Sequence, residues 1–111
     1  ALVNARNLPR EVVIFRGWAS DPYKVLHTID CLVLSSMHEG TPRSILEAGC
    51  MGVPSIAASV GGVPDLIQDG KTGWLYPYGD MDMLVSLMKK VVSDRDGYAL
   101  YFSRAPIPFP R

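Results

Sequence analysis

The sequence has no excess of charge of either sign: eleven Lys and Arg stand against eleven Asp and Glu. The balance holds by halves, with five of each over residues 1–58 and six of each over residues 59–111. The lack of a basic tail or stripe argues against a nucleic-acid binder held by phosphate neutralisation. No apolar run approaches the roughly 18 residues of a membrane-spanning helix, and no stretch reads as a signal peptide. Cysteine is scarce, with only Cys31 and Cys50. Neither has metal-ligand spacing, and both sit inside apolar runs, which reads as two reduced, buried thiols of a cytosolic protein. The only histidines are His27, in an expected helix, and His38, in an expected loop. Nothing else in the sequence supports a catalytic dyad.

What is present is apolar. Hydrophobic residues make up 48% and charged residues 20%, a globular composition. A chain of this length forms one domain and buries about 60–70% of its unfolded surface, so it needs no disulfide or metal staple. VVIF at 12–15, ended by Gly17, reads as a strand. Ser20 and Asp21 offer an N-cap and Pro22 suits a first turn, so a helix is expected to about Ile29, with Tyr23, Leu26 and Ile29 inward. CLVLS at 31–35 is continuously apolar, the pattern of a strand covered on both faces. Thr41 and Pro42 start a second helix, which Gly52 and Pro54 stop. SIAA at 55–58 and GWLY at 73–76 are further strands, separated by a glycine-rich stretch holding at most a short helix. Asp80 caps a last helix, whose stripe Leu84, Leu87, Met88 and Val91 faces inward. Strands alternating with helices predict an α/β fold: a Rossmann-like, three-layer parallel sheet with helices on both faces. Ligands of such sheets bind beyond the carboxyl ends of the strands. That places SSMHEGTP, GGVP and YPYGD along one rim.

Residues 35–57, SSMHEGTPRSILEAGCMGVPSIA, carry the most chemistry. A buried strand delivers the chain to a polar loop, where Gly40 permits close backbone approach and Pro42 presets φ. The amides of Gly40, Thr41, Arg43 and Ser44 are candidates to point out of a helix start. Together with the helix dipole they form an anion site suited to a diphosphate. Arg43 adds a positive charge and Ser44 a hydroxyl. Glu39 lies just before the helix and Glu47 inside it, eight residues later. A carboxylate there can accept hydrogen bonds from a vicinal diol such as ribose. A plainer reading stands beside this one. Glu47 can pair with Arg43 at i, i+4, worth a few tenths of a kcal/mol, and Glu39 can simply be an acid favoured near a helix N-terminus.

The same stretch resembles the C-terminal nucleotide-sugar-binding domain of retaining GT-B glycosyltransferases of group 1. The resemblance rests on Glu39 and Glu47, spaced as in that family's Glu-x7-Glu motif, within HEGTPRSILEAGCMGVPSIA. FRGW at 15–18, LVLSS at 32–36 and SVGGVPDLIQDGKTGWLYPYGD at 59–80 also match family patterns, in order and at the right distances. It covers about residues 10–94 and implies half of a GT-B fold. It further implies that Glu47 binds the donor ribose and that Glu39 lies by the donor sugar and reacting centre, the catalytic position. Gly40, Thr41, Arg43 and Ser44 would hold the diphosphate or the sugar. Gly61 and Gly62 would let the chain pass close to the donor, or else form a helix-capping turn. Arg16 and Gly17 would sit near the base pocket; Trp18 is a weaker candidate for stacking there, and Trp74 reads as core. No cofactor and no metal is expected, because amides and basic side chains meet the donor's charge. The donor is a nucleotide diphosphate sugar, and UDP, GDP and ADP all suit the fold. The implied activity is transfer of a hexose with retention of configuration.

The family's N-terminal, acceptor-binding domain and the first strand of its C-terminal domain have no counterpart in these residues. Residues 1–94 are therefore expected to be a donor-binding fragment, inactive alone because the cleft cannot close. A face exposed by the missing domain would favour a homodimer. The expected place is the cytoplasm, or peripheral to the inner membrane in a parent enzyme. Residues 95–111 are expected to be an extra strand and extended tail of different origin. GYALYFSRAPIP resembles a segment of CMP-KDO synthetase, while on its own terms YALYF at 98–102 is a strong strand former. A second reading follows from this: an engineered or recombined chimera with no selected function. A third, a phosphate-binding regulatory domain, rests only on the glycine-rich turns.

Overall fold

The computed structural model describes residues 13–17, 20–37, 40 and 42–93. The elements run α1 (Pro22–Leu26), β1 (Leu32–Leu34), α2 (Arg43–Cys50), β2 (Ser55–Ala58), α3 (Val63–Leu66), β3 (Gly73–Tyr76) and α4 (Met81–Ser93). The three strands form one parallel sheet in the order β1-β2-β3. Leu32 is in register with Ser55, and Ser55 with Gly73. This is the α/β, Rossmann-like architecture expected from the alternation of strands and helices.

β2 is the central strand, and every residue of SIAA is buried. Small residues let helices approach on both sides. Ile56 and Ala58 face one layer, where they pack with Trp74, Tyr76 and Val91 of α4, and with Leu84 and Leu87 at its edge. Ala57 faces the other layer, among Ile45 of α2, Val63 and Leu66 of α3, and Leu32, Leu34 and Leu75. Period-two alternation along the strands thus assigns α4 to one face and α2 with α3 to the other. Trp74 is core, and the Lys90 Nζ lies 6.0 Å from its ring centroid.

The expected caps form. The Asp21 carboxylate accepts the Tyr23 N–H at 3.1 Å with Pro22 in the first turn of α1, and the Asp80 carboxylate accepts the Met83 N–H at 3.0 Å at the start of α4. Several expectations are corrected. Residues 13–15 of VVIF lie outside any strand, with Ile14 and Phe15 exposed. β-propensity needs a hydrogen-bonded neighbour to act on, and none of the described strands pairs with this segment. α1 ends at Leu26, three residues early: beyond it the Thr28 and Ile29 N–H groups donate three residues back, to Val25 and Leu26, instead of four. Tyr23 is exposed, and of the expected inward set only Leu26 is fully buried. β1 is covered on one face only: Leu32 and Leu34 pack under α2 and α3, while Val33 is exposed on the other side. α2 begins at Arg43, since Pro42 has an extended ψ of 111° and is the N-cap. Met88 is exposed at the flank of the α4 stripe. Cys31 is half-buried and Cys50 exposed, where two buried thiols were expected.

Candidate functional site

Three loops leave the carboxyl ends of parallel neighbouring strands: the one after Leu34, the one after Ala58 and the one after Tyr76. They form one rim, as the strand order requires. The first leads into α2, whose N-cap Pro42 has no N–H and makes no side-chain cap. The first amides of α2, those of Arg43, Ser44 and Ile45, have no intrahelical acceptor at this end. An eight-residue helix therefore points its first amides and the positive end of its dipole at the rim, and no side chain of the described residues caps them. Arg43 is exposed beside them, and Ser44 is half-buried.

The second loop is tied to the first. The Gly62 N–H donates to the Gly40 carbonyl at 3.0 Å. Gly61 adopts a φ of +53°, in the left-handed region that favours glycine. Gly62 then serves as N-cap of α3, with Val63 and Asp65 N–H groups turning back onto Val60 and Gly62. The pair of glycines thus does two jobs: it turns the chain tightly into α3, and it pins the motif loop at Gly40. This tie was missed in reading the sequence. Its only signal was the adjacency of two glycines opposite a third across the rim.

Glu47 lies one turn into α2, on the same side as Arg43 by the i, i+4 spacing. It is half-buried, and its carboxylate makes no ion pair or hydrogen bond with any described residue. The Arg43–Glu47 pair weighed as the plainer reading is therefore absent. A half-buried carboxylate that keeps free acceptor oxygens is equipped to take hydrogen bonds from a bound hydroxyl. Gly40, Arg43, Ser44, Glu47, Gly61 and Gly62 come together at the rim. Glu39, Thr41 and Trp18 lie outside the described residues. Arg16 and Gly17 are exposed before α1, and no described hydrogen bond joins them to the rim.

Two groups elsewhere on the sheet are perturbed. Burial pushes the Cys31 thiol up to about 11, with the Asp30 charge adding and a hydrogen bond at the Ile56 backbone opposing. Cys31 stands before β1, at the amino end of the sheet, away from the rim. Burial also raises the Tyr76 phenol, with Tyr78 adding. Among the described residues, the Tyr76 hydroxyl is buried with no hydrogen-bond partner. Among the described residues no group of three His, Cys, Asp or Glu comes together to hold a metal ion. No helix among them is long and apolar enough to cross a membrane.

Comparison with known proteins agrees with this fold. Residues 1–94 match the family described as glycosyl transferases group 1. The UDP-Gal:alpha-D-GlcNAc-diphosphoundecaprenol alpha-1,3-galactosyltransferase of Escherichia coli is 32% identical over 80% of this chain and 23% of its own length. The lipopolysaccharide 1,6-galactosyltransferase of Salmonella typhimurium is 35% identical over 78% of this chain and 25% of its own. Among solved structures, sucrose-phosphate synthase of Thermosynechococcus elongatus superposes with a TM-score of 0.82 at 27% identity, over 93% of this chain and 26% of that one. HepE of Anabaena, solved in complex with UDP, has a TM-score of 0.67 at 27% identity, over 72% of this chain and 22% of its own. The chain thus spans about a quarter of the length of the proteins it matches.

Proposed function

Because the chain belongs to the group 1 glycosyl transferases, we propose that it is the donor-binding part of an enzyme that moves a hexose from a nucleotide diphosphate sugar to an acceptor. The observation that carries this reading is the N-terminus of α2 at the rim, whose N-cap Pro42 makes no side-chain cap, with the Glu47 carboxylate, unpaired among the described residues, one turn behind it. The diphosphate sits on the amides of Arg43 and Ser44, and the Arg43 side chain adds charge. Amide donors fixed before the reaction stabilise the negative charge that develops on the leaving diphosphate, commonly the largest catalytic contribution. Glu47 takes the ribose hydroxyls. Glu39 is the residue by the reacting carbon, and transfer proceeds with retention of configuration. The Gly62–Gly40 tie holds the loop that carries this chemistry in place.

The remainder of the enzyme supplies the acceptor site. Met37, Tyr78 and Met81 are exposed around the rim, which supports a second domain closing over it. Closure excludes water and completes the site, so this chain binds donor but transfers nothing by itself. Residues 95–111 take no part, a reading supported by the end of the family match at residue 94. The relatives' names and the UDP seen in HepE make UDP the first donor base to test.

Calorimetric titration of the chain with UDP, GDP and ADP tests the proposal. One of them binds at millimolar affinity or tighter. A hydrogen bond to a charged group contributes about 1.5–3 kcal/mol, so Glu47→Gln weakens that affinity by roughly 10- to 150-fold. No heat from a chain shown to be folded by circular dichroism overturns it. So does equal affinity in the variant.

A further inference from the structure

The Gly62 N–H is not free to meet a ligand, because it donates to the Gly40 carbonyl at 3.0 Å. The donor side of this hydrogen bond is fixed by its neighbours. Gly61 holds a φ of +53° just before it, a conformation that favours glycine. Gly62 itself, at φ −83° and ψ −1°, is the N-cap of α3, and the Asp65 N–H donates back to its carbonyl at 3.2 Å. α3 is anchored in the core through Val63 and Leu66. The acceptor side is not fixed in this way. Gly40 is exposed, and a Cβ built on it would meet nothing within 4 Å. Its φ is not positive, so no special backbone conformation holds it either. Among the described residues, no other backbone hydrogen bond reaches Gly40. The bond from Gly62 therefore decides where the Gly40 carbonyl points.

That direction matters to an anion. Gly40 stands two residues before the N-cap Pro42 of α2, so the two Cα atoms are no more than about 7.6 Å apart. A carbonyl oxygen carries partial negative charge. Turned toward the α2 amides it would oppose a phosphate there; held toward the start of α3 it does not. Granted the donor site at the α2 start, we propose that Gly62 is a positioning residue. Its N–H keeps the Gly40 carbonyl on the α3 side, so that the α2 start presents donors to the diphosphate without a competing acceptor. Gly62 thus serves the site through Gly40, without touching the donor. Position and binding are then reciprocal. By whatever factor opening this hydrogen bond weakens the anion, a bound anion opposes the opening.

Amide hydrogen exchange followed by NMR on the full chain, with pyrophosphate as the probe, reads this on the unmodified protein. At saturating pyrophosphate the Gly62 N–H exchanges about tenfold more slowly than without it, an ordinary size for such a coupling. The Gln68 N–H, held by the Thr72 hydroxyl at 2.9 Å in an exposed turn before β3, keeps its rate. Uridine, which carries no phosphate, leaves both rates as they are. A second measurement removes the donor alone: replacing Gly62 by glycolic acid through chemical ligation exchanges the N–H for an ester oxygen, and pyrophosphate and UDP bind about tenfold more weakly. Unchanged Gly62 exchange at saturating pyrophosphate overturns the proposal, as does an ester-containing chain that binds as tightly as the parent. Slowing that Gln68 shares, or that uridine reproduces, also overturns it, since neither is specific to the anion. All these outcomes leave the donor site standing. Failure of pyrophosphate and UDP to bind the parent chain overturns the donor site and the role of Gly62 together.

Discussion

Gly73 and Gly49 give the same substitution opposite signs. Gly73 opens β3 opposite Ser55 of the central strand β2. A Cβ built there runs into the backbone carbonyl of Ser55 and comes within 3.2 Å of the Ile67 Cγ2. The Ser55 carbonyl belongs to the buried central strand and cannot rotate away, so β2 and β3 must part locally. Overpacking of this kind costs about 1–3 kcal/mol, and a weakened ladder hydrogen bond adds about 1 kcal/mol. Gly73→Ala should therefore lose roughly 2–4 kcal/mol, a large share of the 5–15 typical of a whole domain. Gly49 sits inside α2, and a Cβ there meets nothing within 4 Å. Gly49→Ala removes backbone entropy from the unfolded chain and should gain about 0.5–1 kcal/mol. Equilibrium urea unfolding, followed by circular dichroism at 222 nm, measures both. A Gly73→Ala chain within about 0.5 kcal/mol of the parent would refute the account of the β2–β3 contact. A destabilised Gly49→Ala chain would refute the account of α2.

Two further outcomes follow from buried groups. The Tyr76 hydroxyl is buried without a partner among the described residues, so Tyr76→Phe removes a desolvation penalty and should leave stability unchanged or raise it by about 1 kcal/mol; a loss greater than that in thermal unfolding reveals a hydrogen bond. The Cys31 thiol is pushed from 9.0 up to about 11. A raised value means that the native state holds its proton more tightly than the unfolded chain. Its contribution is complete below pH 9 and is lost as pH rises through about 11. Cys31→Ser should flatten that part of the stability profile, and an unchanged slope between pH 9 and 11 would contradict the burial.

Much of the fold was legible because period and punctuation agreed. SIAA and GWLY were read to the residue, since a short apolar run closed by turn residues has few other meanings. Asp21 and Asp80 were read as caps for the same local reason. The failures were non-local. VVIF has the composition of a strand, but a strand exists only with a neighbour, and its sequence cannot say whether one is present. The exposure of Val33 likewise depends on which residues lie over β1. At the site, glycine and proline around the α2 start marked a helix whose N-cap makes no side-chain cap, as the structure has it. The absence of the Arg43–Glu47 pair was not legible, because i, i+4 spacing permits the contact without enforcing it. The Gly62–Gly40 hydrogen bond joins loops 22 residues apart, and only the strand order brings them together.

The central claim is that a donor diphosphate binds on the first amides of α2. Recording nitrogen–proton NMR spectra of the chain during a UDP titration tests it most directly. The account predicts that the amides of Gly40, Arg43, Ser44 and Ile45 move together, with Gly61 and Gly62 following through the loop tie. It predicts that the amides of Thr28 to Cys31, at the opposite end of the sheet, stay still. Shifts centred on that amino end, or none at the α2 start at saturating UDP, GDP or ADP, would contradict it.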